Sequence, residues 1–458
     1  MNSQTNISVR GSAVAGRFFP HDPEALARSV ADCLAQSGTA ASVPKAVISP
    51  HAGYAFSGRL AGAAWGATRG FAGARVVVLS PSHRHGFEGV ALPSQGRYAM
   101  PGFEVAIDAQ ACERLVARGL AHVEDAAHDH EHGVETQLPF AHHTHPDAKV
   151  VALVIGRARP GQVAKIVDAL AGMGETPPLF VLSSDLSHFL TRAAAERHDA
   201  ETARLVETGV PDGLTGAHAC GAAAIGGFMT SGVGRGLRVQ RLGMANSADV
   251  TQDAARTVGY GAWAFHGQGD AMLLLAHRAA LLRAARRALV SRVTKGRPPK
   301  LDPATFAPPL QGHGAAFVTL RKAGRLRGCI GSLKARQPLV GDVVENTLKA
   351  ATQDPRFAAV TAAELDAITL RIAVLSPAAP MSFADERDLL GQLRPGRDGL
   401  IMTDSGRRGV FLPAVWESLP EPRDFLSALR RKAGLAEDHW SSTLRVERFR
   451  AESFGEDG

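Results

Sequence analysis

ARVVVLSPSH at residues 74–83 contains the stretch that decides the fold, because residues 76–79 are all Val or Leu with no polar alternation. Such a run predicts a strand buried on both faces. Similar runs occur in KAVISPHAG at 45–53, AKVVALVIG at 148–156 and PLFVLSSDLSH at 178–188. Small-residue or amphipathic segments, such as residues 57–67, separate them. This alternation predicts an α/β fold with a sheet flanked by helices.

Length and composition place the chain among folded proteins. Its 458 residues suffice for two or three domains of roughly 150 residues, and 45% hydrophobic with 21% charged residues is typical of globular chains. No apolar stretch approaches the roughly 20 residues needed to span a bilayer, and the N-terminal residues lack an export signal. We therefore expect a cytoplasmic protein with reduced thiols and no membrane partner.

The net charge of +7 is small for this length. The densest basic run follows helical spacing at first and contains no aromatic residues, so it favours a solvent-exposed helix face and predicts no nucleic-acid partner. Its residues are Arg283, Arg286, Arg287, Arg292, Lys295, Arg297 and Lys300.

Histidines follow three of the predicted strands: His51, His83 and His188. Since ligands gather at the carboxyl ends of strands in such sheets, we expect these side chains to converge. Imidazole and thiolate groups are both good ligands for Fe, Zn and Cu, so Cys220 is a further candidate ligand. Its position before a small-residue helix predicts a lowered pKa for the thiol. The alternative for Cys220 is an inert core thiol. Asp185 is close enough in sequence to His188 to fix an imidazole tautomer.

A second histidine cluster is HDHEHGVETQLPFAHHTH at residues 128–145. Most of it is typical of a solvated loop. His132 and Glu135, three apart at the start of a predicted helix, are expected to point to one side and meet the strand-end site.

A second domain follows a break in the pattern near residues 265–271, so we predict domains at residues 1–268 and 269–458. A helix is predicted over residues 272–293, and the proline-rich residues 296–310 predict an extended connector. GAAFVTLRKAGRLRGCIGSL at 314–333 predicts a hairpin that turns at residues 322–325.

Cys329 lies between two glycines of this hairpin. It suits either a packed strand thiol or a catalytic nucleophile whose pKa Arg327 lowers. For Asp354 and Arg356 we expect a bracing role at this glycine-rich strand.

Six motifs of the first part resemble, in order, the Memo family across residues 10–266. They are AVAGRFFPHDPEAL (13–26), SPHAGYAFSG (49–58), LSPSHRHGFEGVAL (79–92), DHEHGVETQLPF (129–140), SSDLSHF (183–189) and CGAAAI (220–225). The resemblance implies a fold related to the class III extradiol, non-haem iron dioxygenases. It also implies a metal ion, Fe(II) first with Zn or Cu as alternatives, held by His51, His83 and Cys220.

The same resemblance implies that Asp185 and His188 line the pocket, with His188 as the acid/base. In the extradiol enzymes a carboxylate takes the place of Cys220, so plain catechol cleavage is not implied. Phe19 stands where the family often has tyrosine, and we expect it at the rim of the substrate pocket with His132 and Glu135.

Residues 272–456 resemble the AMMECR family, which implies an α+β domain. The motifs are the hairpin, DPRF (354–357), ELDAITLRIAVLS (364–376), GRDGLIM (396–402), RGVFLPAVW (408–416) and FLSALRRKAGLAEDHW (425–440). The pairing resembles the bacterial AmmeMemoRadiSam set, so a separately encoded radical-SAM protein is an expected partner.

The leading hypothesis is a metal-dependent oxidoreductase that acts on a small-molecule or peptide substrate. Two alternatives remain: a non-catalytic protein that binds a ligand or phosphopeptide, and a zinc-dependent hydrolase.

Overall fold

The computed structural model describes residues 8–35, 42–209, 211–267 and 273–456. These residues form two compact units, one of residues 8–235 with 239–267 and the other of residues 236–238 with 273–456. The sequence-predicted boundary at 268/269 and the predicted helix start at Met272 lie outside the described residues.

The first unit alternates strands and helices. Its strands are β1 (Val9–Arg10), β2 (Ala46–Ser49), β3 (Arg75–Pro81), β4 (Val90–Leu92), β5 (Arg97–Met100), β6 (Phe103–Ala106), β7 (His122–Val123), β8 (Lys149–Ile155), β9 (Leu179–Ser183), β10 (His188–Leu190), β11 (Arg238–Asn246) and β12 (Thr257–His266). Its helices are α1 (Pro23–Ala35), α2 (Tyr54–Ala67), α3 (Ala109–Ala117), α4 (Ala126–Asp129), α5 (His132–Glu135), α6 (Leu138–Thr144), α7 (Pro160–Ala171), α8 (Arg192–Glu207), α9 (Ala222–Thr230) and α10 (Ala248–Thr251).

The main sheet has the strand order β10-β12-β2-β9-β3-β8-β4-β7, with β11 beside β12, and β1, β5 and β6 form a small separate sheet. Its centre is parallel: β2 pairs with β9, β9 with β3, and β3 with β8. The side chains of residues 46–48, 76–79 and 179–182 are completely buried, as expected for strands covered on both faces. The predicted α/β architecture is confirmed.

Helices α1 and α2 pack closely because glycine stands at their contact. A Cβ on Gly62 would lie 2.3 Å from the carbonyl oxygen of Cys33, a distance that the backbone of α1 cannot accommodate without moving. A Cβ on Gly161 in α7, by contrast, would have no atom of the described residues within 4 Å beyond its own helix backbone and chain neighbours.

We expect Gly62→Ala to lower the free energy of unfolding by about 1–3 kcal/mol through overpacking, although alanine is the better helix former. Gly161→Ala is the matched control and should be neutral or stabilise by up to about 1 kcal/mol. Calorimetric melting of both full-length variants measures this. Equal melting temperatures for the two variants would contradict the close approach.

The second unit combines antiparallel sheets with helices. Its strands are β13 (His313–Gly314), β14 (Ala316–Lys322), β15 (Arg325–Gly331), β16 (Gln337–Pro338), β17 (Ile368–Leu375), β18 (Ala379–Pro380), β19 (Gly399–Asp404), β20 (Arg407–Phe411), β21 (Arg445–Phe449) and β22 (Ala451–Gly455). Its helices are α11 (Leu275–Lys295), α12 (Pro308–Gln311), α13 (Leu339–Thr352), α14 (Glu386–Gln392) and α15 (Pro422–Lys432), with 3₁₀ turns at Pro303–Thr305, Ala362–Ala367 and Pro413–Glu417.

The strands of this unit form one sheet ordered β15-β14-β17-β22, another ordered β18-β21-β19-β20, and the pair β13-β16. The predicted hairpin is confirmed: β14 pairs with β15 across a two-residue turn at Ala323 and Gly324, whose φ angles are +50° and +76°. Glycine adopts such a conformation without steric cost. The connector at residues 296–310 is not wholly extended as predicted, because a 3₁₀ turn and α12 begin within it.

Helix α11 shows one apolar face to the core of the second unit. Leu281, Ala285, Ala288 and Leu289 are completely buried, and all of them except Ala288 join a cluster that includes residues of β14 and β17. No helix in the described part of the chain is both long and apolar enough to cross a bilayer.

Candidate metal centre

Three neighbouring parallel strands end at one edge of the main sheet, and a loop with polar residues follows each of them. His51 follows β2, His83 follows β3, and Asp185 follows β9. Because β2 and β3 both pair in parallel with β9, their carboxyl ends point the same way. Cys220 reaches this edge from the residues that precede α9.

The structure brings the donor atoms of His51, His83 and Cys220 together. Their ligand atoms all lie within 4.8 Å of one another, and Cys220 Sγ is 3.3 Å from His51 Nε2. Two tetrahedral ligands with bond lengths of about 2.0–2.3 Å lie roughly 3.5 Å apart. The observed separation therefore fits two ligands of one cation.

Ser183 orients His51. The Ser183 hydroxyl donates to the Gly133 carbonyl at 2.6 Å, so its oxygen accepts from His51 Nδ1 at 2.9 Å. This arrangement leaves the lone pair of His51 on Nε2, the atom nearest to Cys220. Such a partner beyond the donor set fixes the tautomer of a ligating histidine.

Glu131 orients His83. One carboxylate oxygen lies 2.8 Å from His83 Nδ1 and accepts from the Gly133 amide at 2.7 Å, and the other accepts from the His83 amide at 2.7 Å. Burial favours the neutral carboxyl, but these hydrogen bonds outweigh it and lower the pKa of Glu131 to about 2. The ionised carboxylate accepts a hydrogen bond from the Nδ1–H group of His83. The lone pair of His83 Nε2 is then left for a metal ion.

Sequence reasoning missed both orienting residues. The signal for Glu131 was its place directly before His132. No comparable signal marked Ser183, because its role depends on the pairing of β2 with β9.

Burial keeps the two innermost imidazoles neutral. It lowers the pKa of His51 to about 3 and that of His132 to about 3, and neighbouring imidazoles add to the effect. Neutral imidazole is the form that binds a metal.

The expected low pKa of Cys220 is wrong. Burial, followed by the charge of Asp185, raises the pKa of this thiol to about 12, and the position before α9 does not compensate. A thiol that binds a metal must lose its proton, so its ionisation depends on a cation.

Asp185 ties the donors together. Its Oδ1 accepts from the His51 amide at 2.9 Å, and its own amide donates to Cys220 Sγ at 3.2 Å. Burial raises the pKa of Asp185. His188 is half-buried, and its Nδ1 lies 2.9 Å from the Leu186 carbonyl oxygen, so Nε2 is the nitrogen left for other contacts.

His132 lies beside the donors. Its ring centroid is 4.4 Å from that of His83 and 5.1 Å from that of His51. Its Nδ1 is buried and lies 3.4 Å from Glu131 Oε1, but it makes no hydrogen bond with the described residues. A buried nitrogen in this state is costly unless a ligand or cation contacts it. The phenyl ring beside His132 is that of Phe18, at 4.7 Å. The predicted rim residue Phe19 is instead buried, with its ring 5.6 Å from that of Tyr54.

The expectation that Glu135 meets the site beside His132 is not met. Its fully buried carboxylate pairs with Arg10 at 2.6 Å and accepts from the amides of Ala13 and Val14. Glu135 therefore holds residues 10–14 against α5.

Residues 128–145 are also not a solvated loop, because they form α4, α5 and α6. His128 is buried with Nδ1 2.8 Å from the Tyr98 hydroxyl, and His145 is buried with Nε2 2.8 Å from Thr68 Oγ1. These two histidines serve packing.

Cys220 also borders a cavity of about 260 Å³. Phe87 and Ile155 contribute apolar surface to its wall, and His85 and Arg157 contribute polar surface. The space suits a small molecule next to the thiol.

Cys329, in the second unit, lies on β15 in a different setting. Its amide donates to Asp354 at 2.8 Å, and the Thr319 hydroxyl donates to its sulfur at 3.4 Å. Arg356 donates to the Cys329 carbonyl and pairs with Asp354, so the expected bracing is confirmed. The Arg327 guanidinium is bound to Glu364 at 3.0 Å.

Fold and site together define a protein with an α/β sheet that carries a histidine–cysteine cluster at its strand ends. Residues 10–264 match the family model described as Memo-like protein, and residues 282–454 match AMMECR1. The chain belongs to the Memo-like family and carries an AMMECR1 domain after it.

Individual relatives match part of the chain. A MEMO1 family protein of Aeropyrum pernix is 29% identical over 277 residues, which covers 56% of this chain and 98% of the relative. A protein of Methanothermobacter thermautotrophicus is 40% identical over 148 residues, or 31% of this chain and 75% of the relative. The crystal structure of an uncharacterized protein from Pyrococcus horikoshii is 32% identical and covers 39% of this chain and 90% of that one, with a TM-score of 0.37.

We expect Glu131→Gln to weaken metal binding by about 10–100-fold, because the amide no longer supplies a charged acceptor for His83 Nδ1. Competition with a chromophoric chelator measures the affinity. Glu124→Gln is the control, since Glu124 binds the half-buried His85 and the exposed His122 rather than a donor of the cluster. Equal affinities for both variants would contradict the orienting role.

We expect Glu135→Gln to destabilise the protein by about 3–5 kcal/mol, because it leaves Arg10 buried without its charged partner. Metal affinity, measured well below the melting temperature, should stay within a factor of three of wild type. A large loss of metal affinity with an unchanged melting temperature would show that Glu135 acts at the metal site and not in stability.

Proposed function

We propose that this chain is a metal-dependent oxidoreductase that takes Fe(II) at His51, His83 and Cys220. One observation carries the proposal: the three donors converge within 4.8 Å, and Ser183 and Glu131 orient both imidazoles for ligation. Two imidazoles and one thiolate suit borderline first-row metals, with Zn or Cu as alternatives. When bound, Fe(II) would supply redox chemistry toward O2.

The protein side chains would position the substrate and move protons. Asp185 holds the backbone of His51 and contacts Cys220 through its amide. His188, anchored through Nδ1, has Nε2 available to exchange a proton with the substrate. His132 and Phe18 form a wall beside the donors.

The substrate would be a small molecule or a peptide. The cavity beside Cys220 favours the small molecule. The thiol donor would require a reducing compartment, so we place the protein in the cytoplasm. We also infer that it works with a separately encoded radical-SAM protein, because the Memo-like and AMMECR1 domains occur here in one chain.

The second unit contributes a separate candidate group. Cys329 is a partly exposed thiol, and we retain it as a nucleophile of the AMMECR1 domain. Asp354 fixes the backbone of Cys329 by accepting from its amide. Arg327, which was expected to lower the pKa of the thiol, is instead hydrogen-bonded to Glu364.

A zinc hydrolase is the second candidate function, because the same three donors fit Zn as well. A non-catalytic protein that binds a ligand or phosphopeptide is the third.

The test is anaerobic purification followed by elemental analysis of wild type, His51→Ala, Cys220→Ala and the exposed control His143→Ala, with O2 uptake measured afterwards. We expect near-stoichiometric iron in wild type and in the control, its loss in both site variants, and O2 consumption only where iron is bound. Stoichiometric zinc would favour the hydrolase. Absence of metal from all four proteins would favour the binding protein, and metal retained in both site variants would overturn the site.

A further inference from the structure

A groove of about 1190 Å³ runs along α11 in the second unit. Its wall uses the helix face opposite to the buried residues of α11. The lining residues of α11 recur at the spacing of one side of a helix: Ala279, Leu282, Arg283, Arg286, Arg287, Val290, Ser291 and Lys295. The other wall is the connector that follows the helix, residues 297–300.

The groove is strongly cationic. Arg283, Arg287, Lys295, Arg297 and Lys300 line it, and among the described residues no carboxylate lies within 4 Å of their charged groups. Glu456 also lines the groove but is paired with Arg286. The positive charge is thus uncompensated, and a ligand with several negative charges would complement it.

The floor of the groove is apolar. Leu282 is half-buried, Val290 is 38% exposed, and Pro298 and Pro299 face them from the connector. Among the described residues, no aromatic side chain lines the groove. Single-stranded nucleic acids bind largely by stacking bases on aromatic rings, so this surface does not provide what their bases need.

We propose that this groove is a docking site for an acidic peptide segment of a partner protein, in which carboxylates alternate with aliphatic side chains. The carboxylates would meet the arginines and lysines, and the aliphatic side chains would cover Leu282 and Val290. From Ala279 to Lys295 the helix extends about 24 Å, which an extended peptide spans with about seven residues. The assignment is independent of the metal centre.

The test uses fluorescence anisotropy with the full-length protein and a labelled eight-residue peptide of alternating glutamate and leucine. The first variant, Arg283→Glu with Arg287→Glu, reverses two charges of the groove. The matched control, Arg114→Glu with Arg118→Glu, makes the same change on the exposed side of the first unit. A third variant, Val290→Ser, removes apolar surface without changing the charge.

We expect the groove variant to weaken peptide binding at least tenfold, the control to change it less than twofold, and Val290→Ser to weaken it about threefold to fivefold. Binding should weaken as salt rises. Equal losses in the groove and control variants would overturn the site, as would no binding to the wild type. Tighter binding of an RNA octamer than of the peptide, insensitive to Val290→Ser, would overturn the class of partner.

Discussion

The candidate site depends on the parallel pairing of β9 with both β2 and β3. This pairing places the loops after three strands at one edge, so that two histidines and one aspartate meet although they are far apart in the chain. The same pairing sets Ser183, the last residue of β9, beside His51. Buried Val, Ile and Leu side chains hold these strands in register, and the geometry of the donors follows from the packing of the sheet.

At the site, neutral imidazoles lie near one ionised carboxylate, that of Glu131. The imidazoles of His51 and His132 are kept neutral by burial, whereas Glu131 stays ionised because three hydrogen bonds hold its carboxylate. The thiol of Cys220 is protonated in the absence of a cation. Ionisation of this thiol would need a nearby positive charge, because burial and Asp185 both raise its pKa.

Much of the architecture was predictable, because short uninterrupted runs of Val, Ile and Leu that end in Ser, Pro or Gly are typical of buried strands. The convergence of His51 and His83 followed from the rule that parallel strands share a carboxyl edge. The position of Glu135 was predicted wrongly because a spacing of three in a short helix does not decide which side chain faces the site. The position of Phe19 was predicted wrongly because either of two adjacent phenylalanines can point inward. The pKa of Cys220 was misjudged because burial is a tertiary property that the local sequence does not contain.

The separation of the candidate ligands along the chain decides whether folding or metal binding comes first. His51 and Cys220 are 169 positions apart, so these donors cannot come from one local segment, as the ligands of a zinc finger do. The sheet must form its long-range pairs first, and such pairing is intrinsically slow. Any metal ion that binds at this site would then enter a folded scaffold, and its identity would depend on which ion the cell offers after folding.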